Sequence, residues 1–174
     1  MKCLSLSFML IRLLRSEGFN NRQTSSNNNR EFCALVNLND NRRKALMEYR
    51  AATPEDYELI RQFLSGAGWQ HRVADASRFR KMLEHTNRTI VAVDDARVVG
   101  FARALCDEVS NGYISMVAVA AERRGEGIGR EMVRRLIKDD AGITWVLRAG
   151  RGSEAFWEKM GFKASEVAIE RVRR

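Results

Sequence analysis

Cysteine and histidine are scarce in this chain, and no apolar run is long enough to cross a membrane. Cys3, Cys33 and Cys106 are odd in number and far apart, which excludes a disulfide framework and a metal-ligand pattern. Cys106 sits in an apolar run and reads as a buried small residue rather than a nucleophile. His71 and His85 are too few and too far apart to make a metal site. The apolar stretch from Leu4 to Leu14 is interrupted by Arg12 and is too short for a transmembrane helix. Lys2 precedes it as in a signal peptide, but Arg12 and Arg15 follow and no small-x-small cleavage site is visible. These absences lead to the expectation of a cytoplasmic protein with no membrane partner and no metal.

What is present points to one domain. A chain of 174 residues with 45% hydrophobic content can bury a real core but is short for two domains. The net charge of +8 is unevenly placed. Residues 1–46 hold eight basic groups (Lys2, Arg12, Arg15, Arg22, Arg30, Arg42, Arg43, Lys44) against Glu17, Glu31 and Asp40, so most of the excess lies there. The remainder is only weakly basic, which argues against nucleic acid as a partner. Residues 20–30 are polar and low in complexity and read as disordered. We therefore read 1–46 as a disordered or dispensable extension, and 47–174 as the folded domain.

Residues 117–130 carry the most functional information. A β-branched run ends at Val119, and a polar turn holding Gly125, Gly127 and Gly129 follows. Ile128, Met132, Val133, Leu136 and Ile137 then recur at helical spacing. The glycines thus sit where a strand hands over to a helix. The first N–H groups of a helix lack intrahelical partners, and the helix dipole favours an anion there. Glycine lets a phosphate approach the main chain. Arg123, Arg124 and Arg130 add positive charge. The turn lacks the Gly-Lys-Ser/Thr of a Walker loop. It also lacks the acidic residue that a dinucleotide fingerprint places about 20 residues on.

Periodicity and turn chemistry divide the rest. Glu48 to Ala51 reads as a short strand. Thr53 is a helix N-cap, with Pro54 in the first helical position. That helix runs to about Leu64 and ends near Gly66 and Gly68. Asp75 or Ser77 caps a second helix bearing Phe79, Met82 and Leu83. Thr89–Val93 and Val98–Leu105 form a hairpin across Asp94-Asp95, and Tyr113–Val119 is the strand before the glycine turn. Ile128–Asp139 is the following helix and Ile143–Leu147 a buried strand. A short helix from Ser153 to Lys159 stops at Gly161. Lys163–Val172 alternates enough for a closing strand. The expected fold class is α/β (α+β): a mixed, mostly antiparallel sheet flanked by helices, in the order β-αα-βββ-α-β-α-β.

Arg124-x-x-Gly127-x-Gly129, between Val117-Ala118-Val119 and an amphipathic helix, resembles the acyl-CoA pyrophosphate loop of the GNAT superfamily of N-acetyltransferases. Downstream, Phe156-Trp157-Glu158-Lys159-Met160-Gly161-Phe162 is similar to that family's late helix-to-strand segment. The resemblance covers Met47 to Arg174. It implies transfer of an acetyl group from acetyl-CoA, as co-substrate, to a primary amine by direct attack in a ternary complex. It implies that the N–H groups of Arg124, Gly125, Glu126, Gly127, Ile128, Gly129 and Arg130 hold the pyrophosphate. The main chain of Val117 and Val119 would pair with the pantetheine arm. The partners expected are acetyl-CoA and an amine acceptor, with the protein a monomer or homodimer.

The catalytic groups are less defined. Many relatives carry a tyrosine where this chain has Trp157, and an indole N–H cannot serve as a general acid. Tyr113, Ser115 and Val117 should project to one face, because strand side chains alternate. Tyr113, Ser115, Asp107 and Glu108 are the weak candidates for proton transfer. Trp69, Gln70 and His71 lie in the loop that lines the acceptor cleft in this family. The alternative function is a catalytically inactive acyl-CoA-binding module with a regulatory role.

Overall fold

The computed structural model describes residues 47–138 and 140–171. The extension read at 1–46 lies outside them. Among the described residues the sheet has five strands, in the order β1-β2-β3-β4-β5. They are β1 (Glu48–Arg50), β2 (Arg88–Asp94), β3 (Arg97–Cys106), β4 (Asn111–Val119) and β5 (Thr144–Leu147). Neighbours pair antiparallel through β4, and β4 pairs with β5 in parallel. The β2–β3 hairpin turns through Asp95 and Ala96, both at positive φ (48° and 60°). Paired left-handed residues match the twist of the flanking strands, which is why such turns close hairpins.

One helical layer comprises α1 (Tyr57–Leu64), α2 (Gln70–Val73) and α3 (Ala76–Glu84). The first α-helix runs to Leu64, as the sequence suggested. A π-helical turn, Ser65–Trp69, carries the chain on into α2, with Gly68 absorbing the kink at φ 89°. Asp75, not Ser77, caps α3, accepting the Arg78 N–H at 3.0 Å. Ahead of α1, the Asp56 carboxylate accepts the Thr53 N–H (2.8 Å) and hydroxyl (3.1 Å), and both Nη atoms of Arg50. Ile60, Leu64, Val73, Phe79 and Leu83 pack from this layer onto Val91, Phe101, Met116 and Ala118 of the sheet.

The opposite layer is α4 (Ile128–Ile137) and α5 (Glu154–Lys159). Ile128, Met132, Val133, Leu136 and Trp157 pack on Ala92, Val99, Ala102, Ala104 and Ile114. The sheet residues under α4 are small, so the helix sits close. A Cβ on Gly100 would lie 2.9 Å from the Met132 sulfur. The sheet is thus buried on both faces, and β3, at its centre, is nearly continuously apolar.

The closing strand read at Lys163–Val172 is not formed within the described residues. Residues 163–171 carry no strand, and Val167 and Ile169 are 87% and 98% exposed. Alternation makes a segment fit for a strand, but a ladder also needs a partner edge to take its backbone hydrogen bonds.

Candidate functional site

The glycine turn links β4 to α4 through a short 3-10 turn, Ala121–Arg123. Gly125 and Gly127 both adopt left-handed backbone conformations, with φ 85° and 86°. A Cβ at either would meet nothing within 4 Å, so the turn is open toward solvent rather than tightened by packing. The first helical bond here is from the Glu131 N–H to the Gly127 carbonyl, at 3.0 Å. Among the described residues the N–H groups of Gly125 to Arg130 find no acceptor. They converge at the positive end of α4, the arrangement that favours a phosphate. Val119, Arg123, Arg124, Phe156, Lys159 and Met160 complete a cavity of about 520 Å³ over this turn.

The arginines differ in role. Arg123 is committed to Asp94, at the tip of the β2–β3 hairpin, and to Glu126 at 2.9 Å. Those two carboxylates raise its pKa further, so it braces the turn instead of offering charge to a ligand. Arg124 and Arg130 form no ion pair among the described residues, which leaves them as the cations available at the cavity.

The geometry of β4 changes halfway along. Its pairing with β5 ends at Ile114 opposite Leu147, so the edge of Ser115–Val119 that faces away from β3 has no strand beside it. At the same point the β3–β4 register slips. Arg103 faces Met116 and Ala104 faces Ile114, so Ser115 is the extra residue of a β-bulge. The bulge resets the alternation. Ile114 belongs to the α4 layer, Met116 and Ala118 to the other, and Val117 and Val119 pack with Ile114. Tyr113, Ser115 and Val117 therefore do not share a face as simple alternation implied. Val117 and Val119 turn toward α4 and α5, and the Ser115 hydroxyl accepts a 3.0 Å bond from Arg103.

A second cavity, about 420 Å³, opens where β4 and β5 part. Trp69 and Arg72 form one wall, Tyr113, Ser115 and Val117 the floor, and Phe156 and Trp157 the other wall. Phe156 lines both this cleft and the cavity over the glycine turn. Trp157 is held firmly. Gly161 (φ 87°) ends α5, and the Phe162 N–H donates to the Trp157 carbonyl at 3.0 Å. The Phe162 ring then packs edge-on against the indole at 5.3 Å. This is a Schellman stop with its usual apolar contact. Ser153 stands at the start of α5, but its hydroxyl donates to the Gly150 carbonyl (2.7 Å) instead of capping.

The structure does not bring all the candidate proton-transfer groups together. Tyr113 and Ser115 line the cleft, and Asp107 and Glu108 do not. Asp107 ties its turn together, accepting the N–H groups of Val109, Ser110 and Asn111 at 2.7–2.9 Å, which hold its carboxyl far below the usual range. Glu108 pairs with buried Arg88, which likewise lowers its pKa. Neither carboxylate is a ready base. Arg103 and Arg72 were not singled out from the sequence. A charged residue inside an apolar strand, as Arg103 is in Phe101-Ala102-Arg103-Ala104, was the available signal.

The model of the acetyltransferase (GNAT) domain matches residues 85–164, from the end of α3 to just past α5. The chain belongs to the GNAT acetyltransferase superfamily. This GNAT protein is 29% identical over 163 residues to an uncharacterized ycf52-like N-acetyltransferase of Prochlorococcus marinus, covering 87% of this chain and 88% of that one. It is 31% identical over 129 residues to the chloroplastic serotonin N-acetyltransferase 2 of Oryza sativa, covering 69% of this chain and 62% of that longer protein. Solved structures with the same fold include a GNAT-family protein from Xanthomonas campestris. Its TM-score is 0.63 at 20% identity, covering 73% of this chain and 93% of that one. Another is an aminoglycoside N-acetyltransferase in complex with CoA, at TM-score 0.59 and 14% identity, covering 74% and 95%. Among the described residues no helix is long and apolar enough to cross a membrane, and no His, Cys, Asp and Glu cluster could hold a metal.

Proposed function

We propose that this acetyltransferase moves an acetyl group from acetyl-CoA to a primary amine by direct attack within a ternary complex. The observation that carries the reading is the succession along β4: a cleft, an unpaired strand edge and an open glycine turn, with Phe156 lining both cavities. The N–H groups of Gly125 to Arg130 take the pyrophosphate, with the Arg124 and Arg130 side chains adding charge; the Arg124 N–H, expected to join them, is given to the Ala121 carbonyl at 3.4 Å. The main chain of Val117 and Val119 pairs with the pantetheine arm as a peptide pairs with a sheet edge. This places the thioester at the cleft floor, where an N–H near Val117 can donate to its carbonyl oxygen.

In the reaction the amine nitrogen bonds to the acetyl carbon, the C–S bond breaks, and CoA leaves as the thiol. The cleft offers no carboxylate base, so the amine proton passes to water, with Tyr113 as the cleft phenol within its reach. Much of the acceleration then comes from holding the two reactants together and from preorganised donors.

The test is a CoA titration followed by a thiol-release assay over a panel of amines. Saturable CoA binding with release of thiol on at least one amine is the expected result. CoA binding without turnover on any amine would assign the chain to the acyl-CoA-binding, regulatory alternative. No CoA binding at all would overturn both.

A further inference from the structure

Three charged side chains are buried among the described residues, Asp56, Arg88 and Arg103, and two of them are neutralised. Asp56 meets Arg50, and Arg88 meets Glu108. The third, Arg103, is 7% exposed and has no carboxylate partner among the described residues. Its guanidinium donates only to hydroxyls, Thr86 Oγ1 at 2.6 Å and Ser115 Oγ at 3.0 Å. A guanidinium keeps its charge at any physiological pH, and an unpaired buried charge is costly unless an anion comes to it. Desolvation accordingly lowers the pKa of Arg103, with only the neighbouring Tyr113 phenol opposing it.

Ser115, the hydroxyl that Arg103 holds, faces the acceptor cleft. The cleft lining contains no Asp or Glu. It does contain Arg72, whose guanidinium lies 5.2 Å from the Trp69 ring centre and has no ion pair among the described residues. Arg148, also in the lining, is already bound to Glu170 at 2.8 Å. The cleft is therefore cationic on the side away from the thioester, with an aromatic ring beside the charge. A simple cationic amine would meet repulsion there and find no counter-ion. An amine that also carries a carboxylate would find one partner in Arg72 and another in the Ser115 hydroxyl, which Arg103 holds from behind.

We propose that the acceptor of this protein is an amine bearing a carboxylate, an amino-acid-like substrate whose acid group is received by Arg72 and by the Ser115 hydroxyl, with the buried charge of Arg103 behind that hydroxyl. The inference rests on the acetyl-transfer reading above and narrows its acceptor. The bidentate fork of arginine suits a carboxylate, and Trp69 gives an adjacent flat surface for an aromatic or planar side chain.

The experiment uses product-like probes, so it does not depend on turnover. Binding of N-acetyl-tyrosine and of N-acetyl-tyramine, which differ only in the carboxylate, is measured by calorimetry on CoA-saturated protein. The acid is expected to bind at least about 10-fold tighter. Arg72→Gln, at an exposed position, should remove most of that preference, and Arg103→Gln or Ser115→Ala should remove the rest. CoA affinity should stay unchanged in all three variants. Equal affinities, tighter binding of the amide without the acid, no binding of the acid, or a preference that survives Arg72→Gln and Ser115→Ala would each overturn the proposal. Absence of CoA binding to the parent protein would instead sink the acetyl-transfer reading beneath it.

Discussion

The two halves of β4 belong to one strand and do different work. From Asn111 to Ile114 the strand is paired on both edges, to β3 and to β5. Gly112 sits there because the Trp145 ring occupies the space where a side chain would be; a Cβ would lie 2.2 Å from it. From Ser115 to Val119 the strand keeps β3 but loses β5, and Gly125 and Gly127 in the turn that follows face open space. In the first half glycine answers to packing, and in the turn it answers to backbone angle and access. The change happens at one residue, the bulge at Ser115. Bulges are places where a ladder is interrupted and side chains are re-aimed, and here the interruption begins the unpaired edge.

The sharpest way to break the contrast is Gly127→Asp. It puts a side chain and a negative charge into the phosphate turn and strains a left-handed position. We expect CoA binding to fall by at least about 100-fold, removing the roughly 2.7 kcal/mol that saturating ligand adds to thermal stability. Calorimetry and a CoA-dependent melting shift read it. Gly112→Ala tests the closed half, and the effect should reverse. Stability should drop by about 2–3 kcal/mol from overpacking against Trp145, while the CoA affinity of the folded fraction holds. If Gly112→Ala weakened CoA binding as much as stability, the two halves would not be separable.

A control lies away from both halves. Hydrogen bonds from the Arg50 guanidinium pull the Asp56 carboxyl down to about 2, with Thr53 helping against the effect of burial. The folded value lies below the unfolded one, so this stabilisation is complete above about pH 4 and disappears as pH falls toward 2. Asp56→Asn should cost about 2 kcal/mol at neutral pH and flatten the acid limb of the stability curve. Urea titrations at pH 7 and pH 3 would show it, with CoA binding near pH 7 unaffected. Trp157→Tyr sharpens the open half. It should retain turnover or raise it by placing a phenol in the cleft wall, whereas Trp157→Phe should lose packing alone. A collapse of turnover in Trp157→Phe at unchanged stability and CoA affinity would give the indole N–H a catalytic part. The smallest effect is Ala96→Gly in the β2–β3 hairpin. It relieves a left-handed alanine and should add up to about 1 kcal/mol, read as a rise in Tm.

The strand, glycine turn and helix of the candidate site were legible because their evidence is local. Glycines, a β-branched run and a helical repeat lie within residues 117–137, and the structure keeps them in that order. The hairpin at Asp95 and the stop at Gly161 were legible for the same reason. What escaped depends on partners distant in the chain. The bulge at Ser115 is a matter of register against β3, and nothing in Tyr113–Val119 alone announces it. The loss of Asp107 and Glu108 to a turn and to Arg88 needed the fold to bring residues 88 and 108 together. The closing strand failed in the same way, since alternation at 163–171 says nothing about a willing neighbour. Arg103 was visible as an anomaly within an apolar strand, but its meaning required knowing that no acid stands beside it.

The open edge of β4 has a further consequence, for behaviour outside the reaction. An unpaired sheet edge is where foreign strands dock, and proteins usually keep such edges short, charged or covered. Here Phe156 and Trp157 of α5 form a wall of the cleft beside the unpaired stretch of β4. Any treatment that loosens α5 removes that wall. A protein with α5 frayed should self-associate through β4, and CoA, by filling the same ladder, should act as its guard against aggregation.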